Sequence, residues 1–493
     1  MIYNFNLGIG WASSGVEYAQ IYRARMFRNI GVDAKFVFTD MFPSENMEHM
    51  TKNIGFLDSE VIWLYTFFTD FKTAPVTYTL SDLEKTFTDL NYTKTREGKI
   101  CRYVFGGSNN FYTAYMVNNH DDFVHRVELV SNGFLIRKDY FTYGRVYSEY
   151  YAPLDNKAHL YHRRFFNENG SVAYEEIIDD DRVMYKFKDK ILCSKEEFVG
   201  YMVSQLHLTK DDVVLIDRST DIGQSILMNC KPARVGTVVH ADHFSEKDTN
   251  NDYILWNNFY EYEFNMHKHI DFYICSTQAQ SDLMVQQFEK YYGVTPCVYT
   301  IPVGSLPELK YPKENRKPFS LITASRLASE KHVDWICKAV IQARSEVPEV
   351  SLDIYGEGGE KSKLETIIRD NNASDYIHLM GQHDLSEVYQ KYEAYIAGST
   401  SEGFGLTLME AVGGGLPIIG FDVRYGNPTF IRNGENGYLL DLPEEDKERI
   451  EALRKGIVDL FKQDLEKCHS VSYEVAKDFL TCNVQEKWRE AVC

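Results

Sequence analysis

The sequence predicts an α/β protein: two parallel-sheet domains, the first interrupted by an antiparallel β-meander. Three observations support this. Short apolar runs alternate with helix-length amphipathic segments in both the first 75 residues and the C-terminal half. A Tyr- and Phe-crowded stretch between them follows period-two alternation instead. The chain, at 493 residues, is also too long for one ordinary core and calls for two to four domains at roughly 150 residues each.

The first zone, residues 1–75, carries buried-strand patterns at Ile2–Leu7, Lys35–Thr39 and Val61–Tyr65, with a helical run at Val16–Asn29. The second, residues 76–200, reads as strands at Phe111–Val117, Phe123–Val130, Phe134–Tyr140, His159–Phe166, Ser171–Ile177 and Val183–Phe187. Turn signals such as Ser131-Asn132-Gly133 separate them. The α/β rhythm resumes at Asp212–Asp217, Arg234–His240 and Asp271–Ser276, so the first domain is expected at 1–75 plus 201–309, with 76–200 inserted. After a Lys-rich link at Lys310–Lys317, strands are expected at Ile322–Ala324, Ser351–Tyr355, Ile377–Leu379, Ala394–Ala397 and Pro417–Gly420. Helices near 331–346, 359–371, 384–391 and 405–414 complete a second domain at 310–470, and 471–493 reads as a closing amphipathic helix.

Composition excludes several function classes. Apolar content of 44% and charged content of 25% fit a folded globular chain. A net charge of −19 argues against nucleic-acid binding through a general basic surface. The sequence holds no run of about 18 apolar residues suited to a membrane span. The opening MIYNFNLGIGWASSG has neither the basic region nor the apolar block of a signal peptide. Nine dispersed cysteines without ligand spacing suggest reduced thiols, hence a cytosolic setting.

The strongest local signal is Thr400–Glu410, TSEGFGLTLME, which follows a strand and opens a helix. Gly403 and Gly405 permit a tight turn, and free amides at the helix start suit a diphosphate. Glu402 lies in the turn and Glu410 two helical turns on, so one acid can face a sugar while the other reaches ribose hydroxyls. Upstream, Arg326 leaves a strand and Lys331 begins the next helix five residues later. Two cations there suit the offset of charge on a leaving diphosphate. Either alone reads as an ordinary surface cation; the pair, upstream of the Glu402 turn, reads as a site.

Weaker signals follow. Gly15 in the loop Gly8–Glu17 would let backbone approach a phosphate, although the loop is no dinucleotide fingerprint and Asp40 is only a loose acidic candidate. His240 stands at a strand end, where open α/β sheets bind ligands. His243 follows in the loop, where a structural bond explains it equally well, and Asp242 reads as structural. Gly356 (in YGEGG) and His378 and Met380 (in HLMG) follow strands where a base and phosphates would meet backbone. No Asp-x-Asp metal clamp stands out, so no metal and no cofactor beyond a sugar nucleotide substrate are expected.

Taken together, the R-x4-K pair, the E-x7-E motif and the two α/β domains resemble retaining glycosyltransferases of the GT-B fold, two Rossmann-like domains facing a cleft. NLGIGWASSGVEYAQ, the aromatic insertion and TSEGFGLTLMEAVGGGLPIIGFDVRYGN are similar to the GtfA-type glycosyltransferases of the accessory Sec system. That resemblance implies transfer of N-acetylglucosamine from UDP-GlcNAc to Ser/Thr of a serine-rich repeat adhesin, alongside a GtfB-like subunit. It also implies a cytoplasmic location that admits peripheral association with the inner face of the membrane. Position by position, it assigns Arg326 and Lys331 to the diphosphate, Glu410 to ribose and Glu402 to the sugar. His240 lies beside the sugar, Gly15 lines the phosphate side, and Phe404, Gly405, Leu406 and Thr407 offer backbone to the pyrophosphate. Three alternatives stay open: UDP-glucose as donor, a non-catalytic adhesin-binding chaperone, and transfer to a membrane lipid or teichoic acid.

Overall fold

The structure is a computed structural model and describes residues 1–9, 15–43, 45–88, 90–106 and 109–493. The central part of the glycine-rich loop, residues 10–14, lies outside them. The chain divides into two compact units. The first comprises Met1–Ile21, Val32–Thr237 and Asn258–Asp271; the second comprises Tyr22–Gly31, Val238–Asn257 and Phe272–Cys493.

Parallel strands Arg234–Val239 (in the first unit as far as Thr237), Val213–Ile216, Ile2–Asn6, Ala34–Phe38 and Val61–Trp63 lie side by side in that order. The order reverses between Ile2–Asn6 and Val213–Ile216, whose carboxyl ends carry Asn6 and Asp217. Both are buried and both are bridged by Gln20, at 3.0 and 2.8 Å. The aromatic stretch forms, among the described residues, a ten-stranded antiparallel meander in strict sequence order, from Tyr92–Glu97 to Ile191–Leu192. Its inner face stacks Tyr174 on Phe165 at 4.5 Å and Tyr185 on Phe198 at 4.1 Å. Strand Arg145–Leu154 lies among those with no expectation in sequence, because its interior positions include Ser148 and Glu149. The buried Glu149 is answered by Arg163 at 3.0 Å and by the hydroxyls of Tyr140 and Tyr151 at 2.8 and 2.6 Å.

In the second unit a six-stranded parallel sheet runs Ile377–Gly381, Ser351–Tyr355, Ser320–Ala324, Ala394–Ile396, Ile418–Phe421, Gly437–Leu440. Alternate residues of each strand enter two separate cores, Leu321, Ile354 and Ile419 in one and Ile322, Tyr355 and Ile418 in the other. Both faces are therefore covered, as parallel sheets require. The strand order reverses between Ser320–Ala324 and Ala394–Ile396, which is the topological switch point where such sheets take ligands.

Two helix expectations differ from the structure. Residues 384–391 form turns ending in a short 3-10 segment, Tyr389–Lys391, which turns Tyr389 toward Glu410. The closing segment is two helices, Leu465–Lys477 and Thr481–Val492, because Phe479 and Thr481 hydrogen-bond through their backbones to Leu306 at 2.8 Å each. That tertiary bridge takes groups a continuous helix would need. The second of these helices sets Trp488 edge-on to Phe27 at 5.3 Å, beneath the Arg23 guanidinium.

Candidate functional site

At the switch point, strand Ser320–Ala324 ends and the chain turns through the 3-10 segment Ser329–Lys331 into helix Val333–Ala343. Lys331 turns inward and its Nζ lies 2.6 Å from Glu402 Oε2, with both side chains about four-fifths buried. The neighbouring strand's exit at Gly398 touches the same turn: a Cβ there would meet the Lys331 carbonyl at 3.0 Å. So the lysine and the glutamate, 71 residues apart, are brought together by adjacent strand ends.

Glu402 is fixed by backbone. Its carbonyl accepts from the amides of Tyr425 and Gly426, at 2.5 and 2.7 Å, and its own amide donates to Arg424 at 3.1 Å. Gly426 is dictated by this clamp, since a side chain there would strike the Phe404 carbonyl at 2.2 Å. Gly405 adopts φ +89°, the left-handed region that favours glycine, and starts helix Leu406–Gly413. The helix start lies close to Glu402, since a Cβ on Gly405 would come within 3.2 Å of its Cγ, and helix starts suit anions. Its Thr407 hydroxyl lies 3.0 Å from the buried Tyr395 hydroxyl, whose pKa burial pushes up to about 12. Glu410, on its next turn, accepts from the Tyr389 hydroxyl at 3.0 Å. Burial raises the Glu410 carboxyl above its usual range, and the Tyr389 bond offsets part of that rise.

The other sequence candidates divide. His240 is half-buried beside the same turn, where a Cβ on Gly403 would come within 3.4 Å of its carbonyl. His243 is placed in the interior, fully buried, with Nε2 2.7 Å from Gln287 and Nδ1 3.2 Å from the Tyr425 hydroxyl. Burial lowers its pKa to about 4. Such an imidazole braces Tyr425 rather than facing a ligand. Arg326 is not gathered with Lys331: its side chain is 75% exposed and pairs with Glu330 at 2.8 Å. His378 donates or accepts at Asp353, 2.7 Å away, and Met380 is exposed on the same strand. Gly356 has a steric reason of its own, since a Cβ would overlap the Ser325 carbonyl at 1.9 Å. Gly15, in the first unit, opens helix Gly15–Ile30, with open space where its side chain would be.

Sequence reasoning missed the tyrosines. Tyr425 donates to Asp242 Oδ1 at 2.6 Å, so it ties the Glu402 turn to the loop that carries His240. Arg424 reinforces that tie through Glu246 at 3.1 Å. Tyr389 holds Glu410 in the same manner. Neither has a short-range signature, although Arg424 and Tyr425 lie in the distinctive RYGN stretch. Among the described residues, no group of three or more His, Cys, Asp or Glu could hold a metal ion. No helix among them is long and apolar enough to cross a membrane.

A doubly wound sheet with a Lys–Glu pair and a glycine-led helix start at its switch point is the architecture of a GT-B glycosyltransferase. Comparison with known proteins agrees. Residues 308–478 match the family of glycosyl transferases group 1, and residues 93–189 match the GtfA extended beta-sheet domain. The chain is 52% identical to the UDP-N-acetylglucosamine–peptide N-acetylglucosaminyltransferase GtfA subunit of Streptococcus agalactiae, covering 99% of this chain and 97% of that protein. Among solved structures it is similar to a GtfA/B complex (TM-score 0.96, 52% identity, 100% and 99% coverage). It is also similar to the pneumococcal O-GlcNAc transferase GtfA in complex with UDP and GlcNAc (TM-score 0.89, 49% identity, 100% and 98% coverage). The chain belongs to the GtfA-subunit family of glycosyltransferases.

Proposed function

We propose that this chain transfers N-acetylglucosamine from UDP-GlcNAc to Ser/Thr hydroxyls of a serine-rich polypeptide, with retention at the anomeric carbon, as the catalytic partner of a GtfB-type subunit. The observation that carries the reading is the Lys331–Glu402 pair at 2.6 Å beside the helix start at Gly405. It stands in a chain half identical to peptide N-acetylglucosaminyltransferase subunits.

The geometry supports one assignment of roles. The amides at Leu406 and Thr407 and the cation of Lys331 meet the diphosphate as charge develops on it, which is where a preorganised donor set lowers a barrier most. Arg326, 75% exposed and paired with Glu330 at the surface, adds a second cation on substrate binding. Glu410 accepts from ribose hydroxyls, with Tyr389 fixing its rotamer. Glu402, held at its backbone, orients the sugar and sets the position of Lys331. His240 donates to a sugar hydroxyl, and backbone around Gly356, His378 and Met380 flanks the base. Gly15 lines the phosphate side, and residues 1–75 and 201–309 serve the acceptor. The meander between them takes the polypeptide and the partner subunit, and residues 310–470 hold the nucleotide. The acceptor hydroxyl attacks from the face UDP leaves, passing its proton to a phosphate oxygen.

Intact-mass analysis of a Ser/Thr-rich peptide, incubated with the chain, its partner and either UDP-GlcNAc or UDP-glucose, tests this. A mass gain of one N-acetylhexosamine with an α linkage is expected. A gain only with UDP-glucose, a β-glycoside, or no modification refutes it.

A further inference from the structure

A cavity of about 390 Å³ lies in the second unit, away from the Lys331–Glu402 pair. Its wall joins the start of helix Gln278–Tyr292, the segment at Thr300 and Pro302, the short helix Gly426–Phe430 with Arg432 just beyond it, and the two closing helices with the turn between them. None of its lining residues belongs to the assembly assigned to UDP-GlcNAc.

Donors reach it from a helix start, a serine and two basic side chains. Thr277 caps the 15-residue helix, its hydroxyl accepting from the Gln280 amide at 3.2 Å, while its carbonyl takes the Ser281 amide. The amides of Gln278 and Ala279 are left with no acceptor among the described residues, and both residues are exposed at the cavity rim. Ser276 is 4% exposed and lines the cavity, and its hydroxyl has no hydrogen-bond partner among the described residues. On an otherwise buried residue, that hydroxyl meets the cavity, where a ligand or solvent can answer it. Two cations complete the wall. Lys487 is half-buried and forms no ion pair among the described residues. Arg432 reaches Glu474 only at 3.6 Å, and Glu474 does not line the cavity. One acid, Asp478, is part of the lining.

We propose that this cavity binds a small phosphomonoester. Two helix-start amides, one serine hydroxyl and two cationic groups match three terminal phosphate oxygens and a charge near −2. A carboxylate, with two oxygens and one charge, would leave donors unanswered. Asp478 repels a bare anion but accepts from a hydroxyl, so the ligand carries one on its organic portion. The cavity volume leaves room for that portion beyond the phosphate.

The test is calorimetric titration of the full chain saturated with UDP, which masks the nucleotide site. Glycerol 3-phosphate and inorganic phosphate are the two probes. Saturable one-to-one binding of glycerol 3-phosphate, tighter than phosphate, is expected. The double variant Arg432→Gln/Lys487→Gln should weaken it by at least about tenfold, the loss of two charge-assisted contacts. Lys455→Gln, on an exposed helix face, should leave it unchanged. Ser276→Ala, a small truncation, should weaken binding several-fold and serves if the double variant does not fold. Absence of saturable binding, or equal affinity in wild type and both cavity variants, overturns the site. Phosphate binding as tightly as the ester overturns the choice of a phosphomonoester.

Discussion

Removing one oxygen atom from Tyr425 probes the tie between the Glu402 turn and the His240 loop. In Tyr425→Phe the two backbone amides that hold the Glu402 carbonyl are unchanged, and the ring keeps its place beside His243, 6.0 Å between centroids. What is lost is the 2.6 Å bond to Asp242 and the 3.2 Å approach to His243 Nδ1. A phenol-to-carboxylate bond contributes about 1.5–3 kcal/mol. Asp242 is 39% exposed, so water replaces part of that bond and the lower figure applies. Loss of a partner at the fully buried His243 adds about 1 kcal/mol. The expected destabilisation is therefore ~2–3 kcal/mol. Urea unfolding, followed by the transition that reports on the C-terminal sheet, gives the midpoint at constant slope. A cycle with Asp242→Asn isolates the pair and should return a coupling of about 1 kcal/mol or more. A shift below ~0.5 kcal/mol with no coupling would refute the claim that this hydroxyl joins the two loops.

Lys331→Ala should reduce turnover by about 100-fold or more with little loss of fold, read as UDP release, because it removes a cation aimed at developing charge. Tyr389→Phe should raise the KM for the sugar nucleotide several-fold while leaving kcat nearly unchanged, since its hydroxyl orients Glu410 and touches no reacting atom. Because burial raises the Glu410 carboxyl, that KM should also climb as pH falls into the mildly acidic range, and a flat profile would count against its role. His243, with its pKa lowered to about 4, is kept neutral in the fold. The unfolded chain therefore binds its proton first, near pH ~6.5, so the stability from His243 is complete above that value and falls toward pH 4. The loss amounts to ~3 kcal/mol, and His243→Gln should flatten that part of the unfolding-midpoint curve. Gly356→Ala should cost about 3 kcal/mol or abolish folding, given the 1.9 Å overlap with the Ser325 carbonyl.

Much of the site was legible in sequence because its parts are local. A strand, a glycine turn and a helix written in one stretch place Gly405, Leu406, Thr407 and Glu410 relative to one another before any tertiary contact exists. The same locality says less about Arg326 and Lys331. Five residues apart in sequence, they point to different partners, because the intervening 3-10 turn gives Arg326 to the exposed Glu330 and Lys331 to the buried Glu402. Strand Arg145–Leu154 escaped the pattern for a related reason. Its buried Glu149 breaks the apolar alternation, and only Arg163, Tyr140 and Tyr151 from neighbouring strands make that burial tolerable.

The sequence by itself determined the α/β periodicity, the antiparallel insertion and the glycine-led helix start, since each rests on spacing within a dozen residues. Only the tertiary structure decided which side chains face one another. Strand order set Lys331 against Glu402, and a bridge to Leu306 split the closing helix. Tyr425 and Tyr389 became the supports of Glu402's turn and of Glu410. Such pairings join residues far apart along the chain, and hydrogen bonds of 2.6–3.0 Å form only once parallel strands have fixed their ends.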